Sequence, residues 1–119
     1  MNWILVFIGG GLGSLARYGT SIMLKNAQWT FPAATLISNI VASFIIGILT
    51  GLSLKSVVTD AQKLLFATGF CGGFSTFSTF SNETVALFQN GNSATAFLNI
   101  FLSVVLCLGA TFLGLKMSL

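Results

Sequence analysis

The run Gly69–Glu83 constrains the fold of this chain more than any other part of its sequence, and it reads GFCGGFSTFSTFSNE. It lies inside an apolar segment, yet it carries glycines, hydroxyl residues and an acid, and it repeats a Phe-Ser-Thr triplet. Polar groups at membrane depth are costly and usually face a protein interior or a water-filled path. Irregular backbone at that depth is tolerated only where protein buries it or where it lines a cavity. The run is therefore interpreted as the lining of a path for a small polar or ionic species.

The composition of the chain is typical of a membrane protein. Its 119 residues are 55% hydrophobic and 6% charged, with a mean hydropathy of +0.95, whereas a soluble domain carries about 25% charged residues. We therefore expect an integral membrane protein with one domain over residues 1–119. Histidine, nucleotide motifs and metal-ligand spacings are absent from the sequence, so an enzyme is not expected. The few charges form no basic cluster, which argues against a nucleic-acid partner.

Four apolar segments are separable along the chain, at about residues 2–24, 32–54, 60–89 and 93–116. A helix needs ~20 residues to cross ~30 Å of hydrocarbon, so three segments fit single spans and the third is about ten residues too long. Gly72 and Gly73 are suited to a break in that third segment. We therefore predict an all-α membrane protein with four transmembrane helices. The third is expected to divide into two short helices, with irregular backbone around Gly72 to Ser75.

Short connectors separate these segments, at residues 25–30, 55–59 and 90–92. Thr59 or Asp60 is expected to cap the start of the third segment, and Gly91 suits its C-terminal end. Pro32 suits the first turn of the second helix.

Basic residues are distributed almost evenly across the expected membrane. With four spans, Lys55, Lys63 and Lys116 lie on one side, and Lys25 lies on the other, joined by Arg17 if it reaches that surface. The positive-inside rule needs a clear excess to fix orientation. The chain is therefore suited to insertion in both directions and to an antiparallel, dual-topology dimer. Because four packed helices leave little room for a path, a transport route is expected between subunits.

Glycines four residues apart provide close-packing surfaces on three of the segments. The pairs are Gly9 and Gly13, Gly47 and Gly51, and Gly69 and Gly73. Small residues at this spacing let membrane helices approach closely. The pairs either support packing between subunits or hold the helices of one subunit together.

Two segments carry polar stripes at a four-residue spacing, which keeps the members on one helix face. The stripes contain Thr35, Asn39, Ser43, Gly47 and Gly51 in the second segment, and Asn99, Ser103, Cys107 and Thr111 in the fourth. Such stripes provide hydrogen-bond donors along a route; alternatively, each Ser or Thr bonds back to a carbonyl of its own helix. For the pair of stripes, and for Asn39 in mid-span, the functional interpretation is favoured.

Aromatic and charged residues favour an anion on that route. Phe77 and Phe80 share a helical face among hydroxyl residues, and their positive ring edges suit a dehydrated small anion. Insertion of the charged Arg17 side chain at the middle of a span would cost at least ~2.5–3.5 kcal/mol, so Arg17 is expected near an end of the span or at an aqueous mouth. Alternatively, it bonds to Glu83 or to a helix C-terminus. Glu83 is interpreted as an ion-coupling residue, a salt-bridge partner or a residue at the polar end of its span.

Together these residues resemble the Fluc (CrcB) fluoride channel family. The resemblance covers the whole chain, through GGGLGSLARY at 9–18, TLISNIVASFIIG at 35–47 and above all the run at 69–83. It implies a homodimer of antiparallel, dual-topology subunits in the inner (plasma) membrane. Such a dimer passes fluoride passively through two pores at its interface.

The resemblance also implies roles for individual residues. The fluoride path would be lined by Asn39, Phe77, Phe80, Ser78 or Thr79, and by a fourth-helix track of Asn99, Ser103 and Cys107. Arg17 matches an arginine near the aqueous vestibule. Gly72 and Ser75 match backbone-carbonyl ligands of a structural sodium ion at the dimer centre, and oxygen ligands suit a hard cation. Cys107 departs from the family pattern, because a thiol is a weak donor.

Two other classes of protein fit parts of the sequence. A small dual-topology, proton-coupled multidrug exporter has a similar size, but it needs a membrane-embedded carboxylate in its first helix. This chain has Arg17 and no acid there. A non-transporting helix-packing subunit leaves the two polar stripes unexplained. A fluoride-selective channel is therefore the favoured interpretation.

Overall fold

The protein is all-helical in the residues that its computed structural model describes, 1–25 and 31–119. Its helices are α1 (Asn2–Met23), α2 (Ala33–Leu54), α3 (residues 60–74), α4 (Phe77–Gln89) and α5 (Ser93–Ser118). These bounds confirm the predicted segments to within a turn of helix, with α3 and α4 together forming the third segment. Most of the predicted connector at 25–30 lies outside the described residues.

Two of the described helices, α2 and α5, are long and apolar enough to cross a membrane. Helix α1 is also long enough to cross a membrane, but its glycines, Arg17 and hydroxyl residues make it less hydrophobic. Helices α3 and α4 are each shorter than the ~20 residues that a span needs, because the extended backbone between them divides the segment. Helices α2 and α5 support the predicted membrane setting. The crossing of a bilayer by α1 and by the α3–α4 pair stays a prediction.

The third segment is interrupted at Ser75 and Thr76, where the backbone is extended (ψ 156° at Ser75; φ −155° and ψ 122° at Thr76). The predicted division into two helices is confirmed. Of the irregular backbone predicted around Gly72 to Ser75, Ser75 is confirmed, whereas the prediction is wrong for Gly72–Phe74, which continue the helix. Glycine serves close packing here instead of a break, since a Cβ on Gly73 would overlap the carbonyl oxygen of Gly10 in α1.

Most of α3 is a π-helix, Lys63–Cys71, which follows a short α-helical turn, Asp60–Gln62. This wider winding has no counterpart among the predicted elements. Thr59 caps the helix through a capping box: its hydroxyl accepts from the Gln62 N–H (3.1 Å), and Gln62 Oε1 accepts from the Thr59 N–H (2.9 Å). Of the two predicted caps, Thr59 is therefore the correct one.

The remaining helix ends follow the predicted turn chemistry closely. Gly91 follows α4 with a φ of 80°, a left-handed conformation that glycine adopts without strain. Pro32 directly precedes α2, at the N-cap position, one residue before the first turn in which it was expected.

Helix α1 packs against α3, and α2 packs against α5, through glycines that allow backbone contact. A Cβ on Gly13 would overlap the Phe70 carbonyl oxygen, and one on Gly47 would overlap the Thr111 carbonyl oxygen. The other members of the three glycine pairs make similarly close contacts with these partner helices. The pairs therefore hold the helices of one subunit together, which is the second of the two interpretations that the sequence left open.

Candidate functional site

Asn39, in the second turn of α2, clamps the extended backbone between α3 and α4. The Thr76 N–H donates to Asn39 Oδ1 (2.8 Å), and Asn39 Nδ2 donates to the Thr76 carbonyl (3.2 Å). The clamp thereby satisfies both backbone groups of Thr76, which a break in a helix would otherwise leave without partners. One N–H of the Asn39 amide is left for another acceptor.

Thr76 also starts α4. Its hydroxyl accepts a bond from the Thr79 N–H (3.2 Å), which is the N-cap arrangement. The same hydroxyl lies 3.2 Å from the hydroxyls of both Ser78 and Thr79. Thr76 was not among the predicted site residues, although a threonine directly before an amphipathic helix is a recognisable start signal.

A cleft of about 290 Å³ lies beside this clamp, between α2, the start of α4 and α5. Its lining consists of Asn39, Ser43, Ser75, Thr76, Phe77, Phe80, Ser103, Val104 and Cys107. Residues from three separate parts of the sequence thus converge on one space. The predicted path residues in it are Asn39, Phe77, Phe80, Ser103 and Cys107. An amide, hydroxyls and aromatic rings surround a volume that holds a small ion with several water molecules.

The two phenylalanines form one wall of the cleft. The ring centroids of Phe77 and Phe80 are 5.5 Å apart, with 43° between the ring planes. Phe77 is 78% exposed in the single chain, so its ring is not covered by the chain's own helices. Because the edge of an aromatic ring is positive, the pair is able to meet an anion edge-on.

The α5 stripe divides into residues that line the cleft and residues that bond within the helices. Asn99 is only 2% exposed, and its Nδ2 donates to the Thr84 hydroxyl of α4 (2.9 Å). Ser103 lines the cleft and donates to Asn99 Oδ1 (3.4 Å). The Thr111 hydroxyl lies within hydrogen-bond distance of two acceptors, the Cys107 carbonyl of its own helix (3.0 Å) and the Ser43 carbonyl of α2 (3.2 Å). Asn99 is therefore buried behind the cleft, and Thr111 combines back-bonding within α5 with a contact to α2.

A second cavity of about 140 Å³ lies between α1, α2 and α4. Its lining consists of Arg17, Tyr18, Ser21, Ala34, Thr35, Ser38, Thr79 and Glu83. Among the described residues, Ser38 Oγ and Glu83 Oε1 are buried and have no protein hydrogen-bond partner. Buried polar groups are normally satisfied, by water where no protein atom reaches them, so this cavity is suited to hold water. Of the predicted hydroxyls, Thr79 lies here, while Ser78 is exposed and lines neither space.

Arg17 lies at the second cavity, and its Nε donates to the Gly73 carbonyl oxygen (3.1 Å). Gly73 belongs to the last turn of α3, where a positive charge is favourable. Of the two bonding partners that the sequence left open for Arg17, Glu83 and a helix C-terminus, the helix C-terminus is therefore the correct one. In the described part of the chain the ion pair joins Lys63 to Asp60 (3.2 Å), and Glu83 forms none with Arg17.

The carbonyl oxygens of Gly72 and Ser75 have the chemistry of a hard-cation site. In a continuous helix they would accept from the N–H groups of Thr76 and Thr79. Those N–H groups bond instead to Asn39 Oδ1 and to Thr76 Oγ1. The two carbonyls are thus released from helical pairing, and they fit the oxygen ligands that a hard cation prefers.

Comparison with known proteins finds a family model and several relatives that match this chain. The family model described as CrcB-like protein, Camphor Resistance (CrcB), matches residues 4–115. A Pyrococcus furiosus protein named fluoride-specific ion channel FluC is 48% identical over 111 residues, which are 92% of this chain and 89% of that protein. A Ruminiclostridium cellulolyticum protein of the same name is 46% identical, over 96% of this chain and 89% of that protein. Another from Azobacteroides pseudotrichonymphae is 44% identical, over 92% and 90%.

The resemblance inferred from the sequence motifs is confirmed by these matches. The clamp, the cleft and the second cavity all lie within the matched residues. The chain therefore belongs to the CrcB-like protein family.

Proposed function

We propose that the chain is a fluoride channel that passes the ion passively, down its electrochemical gradient. The cleft carries the proposal, because it brings aromatic rings, hydroxyls and an amide together in an otherwise apolar protein. The names of the FluC relatives support fluoride as the ion. Export through the inner membrane would lower the fluoride concentration of the cytoplasm.

In this mechanism, groups of the cleft replace the water that fluoride sheds. Transfer of an unpaired charge into an apolar environment is very costly, so a path must offer donors throughout. The edges of the Phe77 and Phe80 rings provide positive potential, and the remaining N–H of Asn39 provides a donor. Ser103 adds a hydroxyl, while the Cys107 thiol adds a weak donor. Several weak donors bind the ion without trapping it.

The second cavity is the proposed aqueous approach to the cleft. The positively charged guanidinium of Arg17 raises the local anion concentration. Thr79 lines this cavity and contacts Thr76, which lines the cleft, so the two spaces adjoin through this hydroxyl pair. Ser78, whose hydroxyl also lies beside Thr76, is placed next to the same junction.

The proposal includes a second copy of the chain in antiparallel orientation. A single chain leaves Phe77 exposed and the cleft open at its surface, and a second copy would cover both. Two-fold symmetry then generates two pores along the interface. The Gly72 and Ser75 carbonyls of the two copies would bind a structural sodium ion at the dimer centre, which their release from helical pairing supports.

A proton-coupled exporter is the alternative function. Such a protein needs a carboxylate that exchanges protons within its first helix, and α1 contains no acid. Glu83 lines the second cavity, but it lies in α4. The channel is therefore favoured, and the two functions differ in whether transport depends on protons.

Fluoride release from liposomes that contain the purified protein tests the proposal. With a potassium ionophore to balance charge, a fluoride electrode should record rapid release that requires the protein. An imposed pH gradient should leave the rate unchanged, because a passive channel is not coupled to protons. No release above that of protein-free liposomes would contradict the proposal. Release that needs a proton gradient and disappears in Glu83→Gln would favour the exporter.

Asn39→Leu is expected to slow fluoride release by about tenfold or more, because a hydrogen bond to a charged species contributes about 1.5–3 kcal/mol. The substitution removes the free N–H and also leaves both backbone groups of Thr76 without their clamp. Electrode recordings give the rate, and thermal unfolding in detergent reports the loss of the clamp. Wild-type release from a folded Asn39→Leu protein would show that the amide is not on the path.

A further inference from the structure

We propose that Asn99 is a positioning residue that sets the direction of the Ser103 hydroxyl proton. Asn99 lies outside the cleft lining, whereas Ser103 is part of it. The two residues belong to a buried chain of hydrogen bonds that continues through Thr84 to the Phe80 carbonyl. The inference rests on the proposed function, because its consequence is for an anion in the cleft.

The donor and acceptor roles in this series of hydrogen bonds are determined at its Phe80 end. The Thr84 hydroxyl lies 2.7 Å from the Phe80 carbonyl oxygen. A carbonyl only accepts, so Thr84 donates its single proton there. Toward Asn99, Thr84 is therefore left only as an acceptor. Asn99 must present its Nδ2 to that hydroxyl, at 2.9 Å.

The Asn99 amide passes this direction on to Ser103. Because the amide is planar, with its oxygen and nitrogen on opposite sides, Oδ1 faces Ser103 once Nδ2 faces Thr84. An amide oxygen only accepts, so Ser103 donates to it, over 3.4 Å. The Ser103 proton is thus directed into the protein, and lone pairs of its oxygen remain for the cleft.

A lone pair repels an anion, so Ser103 becomes a donor to fluoride only when it releases Asn99. The separation of 3.4 Å is beyond the usual range for a bond between two oxygens, and such a bond is weak. Rotation of the Ser103 hydroxyl toward an arriving ion therefore costs a small amount of free energy, that of the weak bond to Asn99. Asn99 and Thr84 thereby lower the affinity of this part of the cleft, which favours exit of the ion.

Two substitutions release the Ser103 proton by different routes. Thr84→Val removes the acceptor that fixes the Asn99 amide, so the amide is free to turn and donate to Ser103. Asn99→Leu removes the acceptor of the Ser103 proton. Each should lower the half-saturating fluoride concentration for release about twofold, the effect of a hydrogen bond at the weak end of the usual range, without raising the maximal rate. Thr84→Ser, which keeps the hydroxyl, should restore the wild-type value.

The same variants in a Ser103→Ala background separate positioning from packing. If Asn99 acts through Ser103, the shift in half-saturating concentration disappears there. An unchanged half-saturating concentration in Thr84→Val and Asn99→Leu, or an equal shift in the Ser103→Ala background, would overturn the assignment while leaving the channel function intact. If the wild-type protein releases no fluoride, the proposed function itself is wrong, and this inference is lost with it.

Discussion

Phe77→Ile and Phe80→Ile should each reduce fluoride release to near the protein-free rate while leaving the protein folded. Isoleucine keeps an apolar side chain but has no positive ring edge to offer an anion. A loss of about 3 kcal/mol in stabilisation of the dehydrated ion slows its passage roughly a hundredfold. Because Phe77 is exposed and contacts its neighbour Phe80 through a tilted ring pair, neither change opens a buried core. Electrode recordings measure the rate of fluoride release, and the elution profile in detergent shows whether the protein is folded.

Phe112→Ile is the matched control for this experiment. Phe112 is an exposed phenylalanine of α5 that lies outside the cleft lining. Its substitution should leave release at the wild-type rate. Undiminished release from a protein carrying both Phe77→Ile and Phe80→Ile would show that the cleft is not the path. Equal suppression by Phe112→Ile would attribute the effect to general packing.

Gly13→Ala should produce the largest loss of stability for the smallest change of side chain. The added methyl group would overlap the Phe70 carbonyl oxygen and would lie 2.8 Å from the Phe74 nitrogen. Backbone atoms of a helix do not move aside as a flexible side chain does, so α1 and α3 must separate. We expect a cost of about 1–3 kcal/mol, measured as a lower unfolding midpoint in detergent.

Gly11→Ala is the control on the same helix, because a Cβ there has no neighbour within 4 Å. Alanine favours a helix over glycine by about 1 kcal/mol, so this variant should be as stable as the wild type or more stable. Equal unfolding midpoints for Gly11→Ala and Gly13→Ala would mean that the close α1–α3 contact does not stabilise the fold.

Helix bounds and the presence of a break could be predicted from local features of the sequence. Segment lengths match the thickness of a bilayer, and Thr59 and Gly91 are residues that start and end helices. A third segment too long for one span requires an interruption. Its exact place could not be predicted, because the extended backbone at Thr76 is held by Asn39, which is 37 residues away. Glycine alone does not distinguish a break from a packing surface.

The types of residue that line the cleft could be predicted from the sequence, but only some of the individual lining residues could. The alternation of aromatic and hydroxyl residues pointed to Phe77 and Phe80, and mid-span polarity pointed to Asn39. Spacing shows which residues share a helix face, but it does not show what that face meets. For this reason Asn99 was predicted on the path although it bonds to Thr84 behind the cleft.

The same limit applies to the partners of glycines and charges. A four-residue spacing predicts a close contact without naming the helix that supplies it, and the contacts of Gly9 and Gly13 are with α3 of the same chain. Arg17 likewise had several acceptors available in the sequence. Its bond to the Gly73 carbonyl depends on where α3 ends.

The reversal potential of a bilayer containing the purified protein tests most directly whether the cleft replaces the hydration shell of fluoride. Fluoride and chloride gradients of opposite direction are applied at equal pH, and the voltage of zero current is recorded. We predict a reversal at the fluoride equilibrium potential, which stays unchanged when the chloride gradient is varied. A reversal that follows chloride, or one that follows an imposed proton gradient, would contradict a fluoride path built from Phe77, Phe80 and Asn39.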